Sequence, residues 1–254
     1  MPLHQAWRTG VEAAVTGAAS DIEAVVLAGG LGTRLRGVLA DDPKAMAPVA
    51  GRPFIDWLLD GLDDAGIGRV VLAVGHRRGR LMDYVGSRHG ELVVDYSVEE
   101  SPQGTGGALR QAMELVRTSD VLVLNGDTFV ELDVPTMLAA HRSVGTGLTL
   151  GVREVDEVGR FGALEIHGDR VTGFAATPRA GAGWVNGGAY IIGEAVQPWL
   201  RRPTPYSLEA DVLKPYVERS GAAAHVLAGT WIDIGVPDDL RRAQRLFDRC
   251  GAPE

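Results

Sequence analysis

The stretch IEAVVLAGG at residues 22–30 is a run of apolar, largely β-branched residues that breaks on glycines. This composition predicts a buried strand that leads directly into a loop. Three later segments share the pattern: RVVLAVG at 69–75, LVVDYS at 92–97 and VLVLNGD at 121–127. Between the strands, apolar residues recur at helical spacing, first at Ile55, Leu58, Leu59 and Leu62. The first half of the chain therefore alternates strand and helix.

Alternation of continuously apolar strands with helices indicates a parallel sheet that is covered on both faces. We predict an α/β fold, Rossmann-like, with three α/β/α layers and a mostly parallel central sheet. The second half is less regular, and GLTLGVREV and GALEIHGDRVTGF are typical of strands in a β-rich section. No internal repeat or low-complexity linker divides the chain. We therefore expect an N-terminal extension at 1–21 and a single domain at 22–254.

Composition excludes several classes of protein. The 254 residues carry a formal net charge of −8, so no broad basic field favours a nucleic-acid partner. No apolar run approaches the ~20 residues that span a bilayer, and the N-terminal segment lacks the pattern of a secretory signal. The single cysteine, Cys250, excludes an internal disulfide framework. We expect a cytoplasmic protein with no membrane partner.

The stretch LAGGLGTRLR at 27–36 follows the first predicted strand. Ligands of such sheets bind beyond the carboxyl ends of the strands. The glycines let backbone N–H groups approach an anion, while Arg34 and Arg36 offer forked donors to phosphate oxygens. The spacing matches neither the dinucleotide fingerprint nor the Walker loop. A phosphate-binding loop and a plain tight turn are both open interpretations.

Lys44 is one of only two lysines in the chain, and Pro43 and Pro48 flank it closely. Proline fixes the local backbone, so Lys44 is expected on a stiff loop and not on a flexible surface helix. Because Lys44 lies soon after the glycine loop, a functional lysine and an inert one are equally supported. Lys214, the second lysine, lies in a segment that is typical of a structural helix.

Five motifs occur in one order: LAGGLGTRLR, PKAMAPVAGRPF, EESPQGTGGAL, NGD and GTWIDIG. In that order and at these separations, they resemble the sugar-1-phosphate nucleotidyltransferases over residues 22–247. The stretches SVEESPQGTGGALRQA and IDIGVPDDLRRAQ are most similar to the D-glycero-D-manno-heptose 1-phosphate guanylyltransferases within that family.

The resemblance implies a reaction in which a sugar phosphate oxygen attacks the α-phosphorus of a nucleoside triphosphate and releases pyrophosphate. The expected partners are GTP and the heptose 1-phosphate, with mannose or another hexose 1-phosphate as the alternative sugar. A homo-oligomer is compatible with the resemblance. The implied catalytic residues are Arg34, Lys44 and Asp127. The implied nucleotide-binding residues are Leu27, Ala28, Gly29, Gly30, Gly32, Thr33, Gln103, Gly104, Thr105 and Gly126.

Asp127 and Asp233 match the two metal-binding carboxylates of the family, which implies Mg²⁺ as cofactor. Mg²⁺ is commonly held by one or two carboxylates together with ligand phosphates. Two structural alternatives stay open, because NGD is also a common turn and Thr105 is a candidate helix cap. The matched sugar-contacting positions are Gly162, Asn186 and Gly187 in the β-rich section.

One departure from the family concerns a Glu-Lys pair that normally precedes the segment GWVNGG. Ala176 and Thr177 stand there instead, and Arg179 is the nearest cation. We hypothesise that Arg179 replaces the lysine that usually contacts the sugar phosphate. An Arg179→Ala variant should then show a raised KM for the sugar phosphate, and an unaltered KM would refute the substitution.

The departure also keeps two other classes of function open. A binding-only nucleotide-sugar sensor would keep the phosphate loop and the aspartates but turn over poorly. A glycosyltransferase on a related sheet would share the carboxylate metal site, yet it has no need of Lys44. The active nucleotidyltransferase is the favoured hypothesis.

Overall fold

The structure is a computed structural model that describes residues 21–30, 42–159, 161–175, 177 and 180–251. Its strands follow the chain as β1 (Glu23–Leu27), β2 (Pro48–Val49), β3 (Arg52–Pro53), β4 (Arg69–Val74), β5 (Arg88–His89), β6 (Leu92–Val98), β7 (Val121–Asn125), β8 (Thr128–Val130), β9 (Leu148–Val155), β10 (Leu164–His167), β11 (Arg170–Phe174), β12 (Gly183–Ile192), β13 (Ala222–Val226) and β14 (Trp231–Asp233).

The α-helices of the described residues are α1 (Phe54–Asp64), α2 (Arg78–Val85), α3 (Gly104–Ala112), α4 (Val134–Val144), α5 (Lys214–Ser220) and α6 (Pro237–Gly251). The described residues also form two 3₁₀ segments, Lys44–Met46 and Glu194–Leu200, and one π-helical turn, Glu209–Leu213. No helix in this part of the chain is both long enough and apolar enough to cross a membrane.

A ten-stranded sheet runs through the middle of the fold in the order β10-β11-β13-β9-β12-β7-β1-β4-β6-β5. The four strands predicted from the first half, β7, β1, β4 and β6, are neighbours and all parallel. Their carboxyl ends therefore meet at one edge of the sheet. The strands of the second half extend the same sheet, mainly by antiparallel pairing.

Apolar cores lie on both faces of the sheet, which explains why the central strands are apolar throughout. Within β1, Ala24 and Val26 face one core, and Val25 faces the other. Helices α1, α2, α4 and α6 cover the first core, while α3, α5 and the segment Glu194–Leu200 cover the second. The predicted three-layer α/β/α arrangement is confirmed.

Two pairings carry the second half of the chain to the edge where the parallel strands end. Strand β12 pairs antiparallel with β7 only from Ala189 to Ile192, so its residues 183–188 continue beyond the end of β7. Strand β14 pairs antiparallel with β8, which places Asp233 opposite Thr128. Residues from both halves therefore meet beyond the parallel strands.

Candidate active site

A cleft of about 550 Å³ opens at the carboxyl ends of the four parallel strands. The loop that follows each of these strands contributes to its wall. Ten of the residues that the sequence assigned to the site line it: Leu27, Ala28, Gly29, Gly30, Lys44, Gln103, Gly104, Thr105, Gly126 and Asp127. The cleft is large enough to hold a nucleotide-sized ligand.

Glycine permits a close approach at two points of the cleft wall, and the backbone geometry requires it at Gly126. A Cβ on Gly126 would lie 2.6 Å from the carbonyl oxygen of Leu27, so the ends of β7 and β1 could not approach as they do. A Cβ on Gly29 would lie 2.9 Å from a carboxylate oxygen of Glu99. Both glycines therefore keep the cleft floor thin and its backbone accessible.

Lys44 begins a short 3₁₀ turn that is preceded by Pro43 and carries the side chain into the cleft. Its Nζ donates a hydrogen bond to Oδ2 of Asp127 over 2.5 Å. The lysine side chain is only 13% exposed and that of Asp127 is 34% exposed, so the pair has one side towards solvent. A cation and a carboxylate thus stand together where a ligand can reach both.

Asp233 joins this pair through the β14–β8 pairing, in which the Ile234 N–H donates to the carbonyl of Asp127 over 2.9 Å. Burial and the nearby carboxylate of Asp127 raise the pKa of Asp233. Two carboxylates that repel each other in a partly buried place are a suitable donor set for a cation. The described residues contain no cluster of three or more His, Cys, Asp or Glu side chains that could hold an ion alone.

This donor set fits Mg²⁺, which needs few protein carboxylates when ligand phosphates and waters fill its remaining positions. Asp127 and Asp233 are the residues that would hold it. Bound there, the ion would supply positive charge beside phosphate oxygens.

Glu99 lines the cleft, and the sequence assigned no role to it. It is buried, and burial raises the pKa of its carboxyl group. Its Oε1 accepts the Gln103 N–H over 3.0 Å, which fixes the carboxylate beside the segment from Gln103 to Thr105. Its place directly after β6 was a usable signal, because functional groups of such sheets follow strand ends.

The loop after β4 also lines the cleft with Gly75, His76, Arg77 and Arg78. Arg77 adopts φ 60°, a backbone conformation that is uncommon outside glycine. Arg78 donates to the carbonyl of Glu99 over 3.2 Å and to Glu100 over 3.1 Å. This loop therefore supports the strand end that carries Glu99.

Thr105 does not cap helix α3, contrary to one of the alternatives. The N-cap is Gln103, which makes no side-chain capping bond. The Thr105 hydroxyl instead accepts the Leu208 N–H over 2.9 Å, because the segment at 204–208 packs across the start of α3. Thr105 thereby ties the cleft wall to the second half of the chain.

Three of the predicted sugar-contacting residues are described, and none of them lines the cleft: Gly162, Asn186 and Gly187. The Asn186 amide donates to the Tyr190 hydroxyl over 2.9 Å and to Glu209 over 2.7 Å. Burial raises the pKa of Tyr190, and the side chain of the cleft residue Asn125 lies close enough to this hydroxyl to act in the opposite direction. Asn186 and Asn125 therefore both lie next to the Tyr190 hydroxyl.

Gly187 and Gly162 have backbone roles that the sequence did not reveal. The Gly187 carbonyl accepts the indole N–H of Trp231 over 2.9 Å, and a Cβ at Gly187 would lie 2.9 Å from the carbonyl oxygen of Gly151. Gly162 is exposed at φ +79°, next to the bridge between Ala163 and Val185. Their sugar contacts stay predictions.

Four residues of the predicted site lie outside the described residues: Gly32, Thr33, Arg34 and Arg179. The same holds for Arg36 and for Ala176 of the altered Glu-Lys position. Thr177, the other residue of that position, is exposed. The roles assigned to Arg34 and Arg179 therefore stay predictions.

Comparison with known proteins agrees with this geometry. The model of the nucleotidyl transferase family matches residues 23–249. The D-glycero-alpha-D-manno-heptose 1-phosphate guanylyltransferase of Aneurinibacillus thermoaerophilus is 34% identical over 224 residues, 88% of this chain and 97% of the relative. The mannose-1-phosphate guanylyltransferase of Mycobacterium tuberculosis is 31% identical over 241 residues, 93% of this chain and 67% of the relative.

A solved structure has the same fold, and the alignment covers almost all of its chain. The crystal structure of HddC from Yersinia pseudotuberculosis complexed with GMP-PN aligns with a TM-score of 0.77 and 35% sequence identity. The alignment covers 89% of this chain and 99% of that one. The resemblance inferred from the five motifs is confirmed, and the chain belongs to the nucleotidyl transferase family.

Proposed function

We propose that this protein transfers GMP from GTP to the phosphate of D-glycero-α-D-manno-heptose 1-phosphate. In this step a sugar phosphate oxygen forms a bond to the α-phosphorus of GTP. The bond from that phosphorus to the bridging oxygen of the β-phosphate breaks, and pyrophosphate leaves. The observation that carries the proposal is the contact of Lys44 with Asp127, next to Asp233, in a glycine-walled cleft.

Lys44 would neutralise charge during the transfer. Both substrates are polyanions, so their phosphates repel each other as they approach. An ammonium group placed between them lowers that repulsion and orients the attacking oxygen. Asp127 already holds Nζ of Lys44 at the cleft, where a ligand phosphate could accept from it.

The two carboxylates would also help to neutralise the negative charge of the phosphates, because they can hold a cation. In the proposal, Asp127 and Asp233 hold Mg²⁺ against the triphosphate. The chain itself positions the two carboxylates through the short β14–β8 ladder. Asp233 is half-buried, and burial and the nearby Asp127 carboxylate raise its pKa, so a cation beside it would be favoured.

Glu99 supports guanine as the base. Guanine presents two adjacent donors, N1–H and the N2 amino group, and a carboxylate can accept both. Adenine presents an acceptor at N1, which a carboxylate would repel. The Glu99 carboxylate is fixed by the Gln103 N–H and borders the cleft beside Gly29.

Replacing Glu99 with glutamine should lower kcat/KM for GTP by about 10–100-fold and leave the other triphosphates little changed. The estimate follows from the 1–3 kcal/mol that one good bidentate contact to a base contributes to discrimination. Glutamine keeps the size of the side chain and can still accept the Gln103 N–H. Initial rates of pyrophosphate release with four triphosphates provide the measurement.

Glu100→Gln is the matched control, because Glu100 is the next residue along and its side chain is 82% exposed. It should leave the preference for GTP intact. Equal losses in both variants, or an unchanged preference in Glu99→Gln, would remove Glu99 from base selection.

The function itself is tested by measuring pyrophosphate release with Mg²⁺, crossing four nucleoside triphosphates with heptose, mannose and glucose 1-phosphates. Release with GTP and the heptose phosphate alone would support the proposal. Release with GTP and mannose 1-phosphate would favour the second candidate, which the 31% identity to the Mycobacterium tuberculosis enzyme suggests. No release from any pair, together with tight nucleotide binding, would favour a binding-only protein.

A further inference from the structure

A second, open pocket of about 340 Å³ lies against helix α6, apart from the cleft of the candidate active site. Its lining residues are Arg153, Thr230, Trp231, Arg242, Arg245 and Leu246. Three of these six carry a guanidinium group and none carries a carboxylate. This is a concentrated positive site on a chain whose formal net charge is −8.

Arg242 and Arg245 stand three positions apart on α6, so their side chains project from one side of the helix. Both are exposed, and within the described part of the chain no carboxylate forms an ion pair with either. The neighbouring Arg241 pairs with Asp238 instead. Two guanidinium groups thus line the pocket, and neither forms an ion pair with a carboxylate of the described residues.

Arg153 supplies the third cation from strand β9. Its Nη1 donates to the carbonyls of Leu227 and Gly229 over 2.5 Å and 2.7 Å. These bonds hold the planar group in place and use only one of its nitrogen atoms. A fixed guanidinium loses less conformational entropy when it binds an anion.

Trp231 forms an apolar wall of the same pocket. Its indole N–H is already used by the Gly187 carbonyl, and its ring packs edge-on against Phe161 at 5.3 Å between centroids. Glu131, which follows β8, accepts the Thr230 N–H over 2.8 Å. The pocket therefore combines a flat apolar surface with forked cationic donors.

We propose that this arginine pocket is a second ligand site, which binds a small phosphate-bearing anion. Guanidinium groups match phosphate oxygens with paired hydrogen bonds, and three of them around one pocket suit a phosphate better than a single carboxylate. The flat side of Trp231 suits the organic part of such a ligand. Since Trp231 and Asp233 belong to the same three-residue strand, an occupant would lie one short strand from the candidate active site.

Calorimetric titration of the full chain with orthophosphate and with pyrophosphate, in EDTA, tests the site. The Arg242→Gln/Arg245→Gln double variant should bind the better probe at least about tenfold more weakly, since each change removes charge-assisted hydrogen bonds. Arg241→Gln is the matched control, because it removes the same charge from the same helix outside the pocket. A Lys44→Ala variant reports on binding in the cleft.

The proposal is supported if the double variant loses binding that both Arg241→Gln and Lys44→Ala keep. It is overturned by an unchanged double variant, by an equal loss in Arg241→Gln, by loss of all binding in Lys44→Ala, or by the absence of heat with both probes. Arg242 and Arg245 are exposed, so we expect the variants to fold, and a thermal melt of each variant checks this. The result is independent of the proposed guanylyl transfer, because no sugar phosphate or GTP is present.

Discussion

Replacing Lys44 with alanine should lower kcat/KM for nucleotide-sugar formation by about 10²–10³-fold or more. Removal of one preorganised donor to a developing charge typically has an effect of this size. Lys44 is held between Pro43 and the Asp127 carboxylate at the cleft, and no other lysine can replace it, since Lys214 lies in α5. The loss should appear mainly in kcat, because the neutralised charge grows during the transfer.

The Lys214→Ala variant is the natural control for Lys44→Ala, because it deletes the other lysine of the chain. It should retain the activity of the parent protein. Pyrophosphate release at several concentrations of each substrate separates kcat from KM. Retention of activity within a few-fold in Lys44→Ala would exclude this residue from the transfer step.

Replacing Asp127 or Asp233 with asparagine should each lower activity by about 10³-fold, and the double variant should lose little more. Both carboxylates would hold the same ion, and residues that act as a unit have non-additive effects. Each single variant should also need a higher Mg²⁺ concentration for half-maximal rate. Rates measured across a Mg²⁺ titration provide both quantities.

Asp238→Asn provides the comparison for this pair, because Asp238 is an exposed carboxylate on α6 that contacts Arg241. It should leave the Mg²⁺ dependence unchanged. Strictly additive losses in the double variant, or an unaltered Mg²⁺ requirement in both single variants, would contradict a shared metal site.

The sequence allowed the central part of the fold to be predicted because local pattern and tertiary environment agree there. The three central residues of β1 are apolar and buried, and both faces of the strand are covered. The same strands bring Gly29, Lys44 and Asp127 to one cleft. The order of motifs along the chain was therefore enough to identify ten of the residues that line the cleft.

Other features depended on contacts between distant residues, which no local pattern records. The Asn186 amide donates hydrogen bonds to Tyr190 and Glu209. The Thr105 hydroxyl accepts a hydrogen bond from the Leu208 N–H on another segment. The Glu99 carboxylate lies against Gly29 and Gly75, which follow two other strands of the sheet. The arginine pocket joins β9 to α6, about ninety residues further along.

The β14–β8 ladder has a consequence for how the protein is made. Asp127 and Asp233 are separated by more than a hundred residues, yet three paired positions bring them together. A ribosome completes the first half of the chain, which supplies the cleft lining, well before it reaches the second carboxylate. In the proposed enzyme, the emerging chain can shape its triphosphate cleft early but cannot finish the catalytic centre. Catalysis would thus be withheld during translation until the late strand β14 reaches β8.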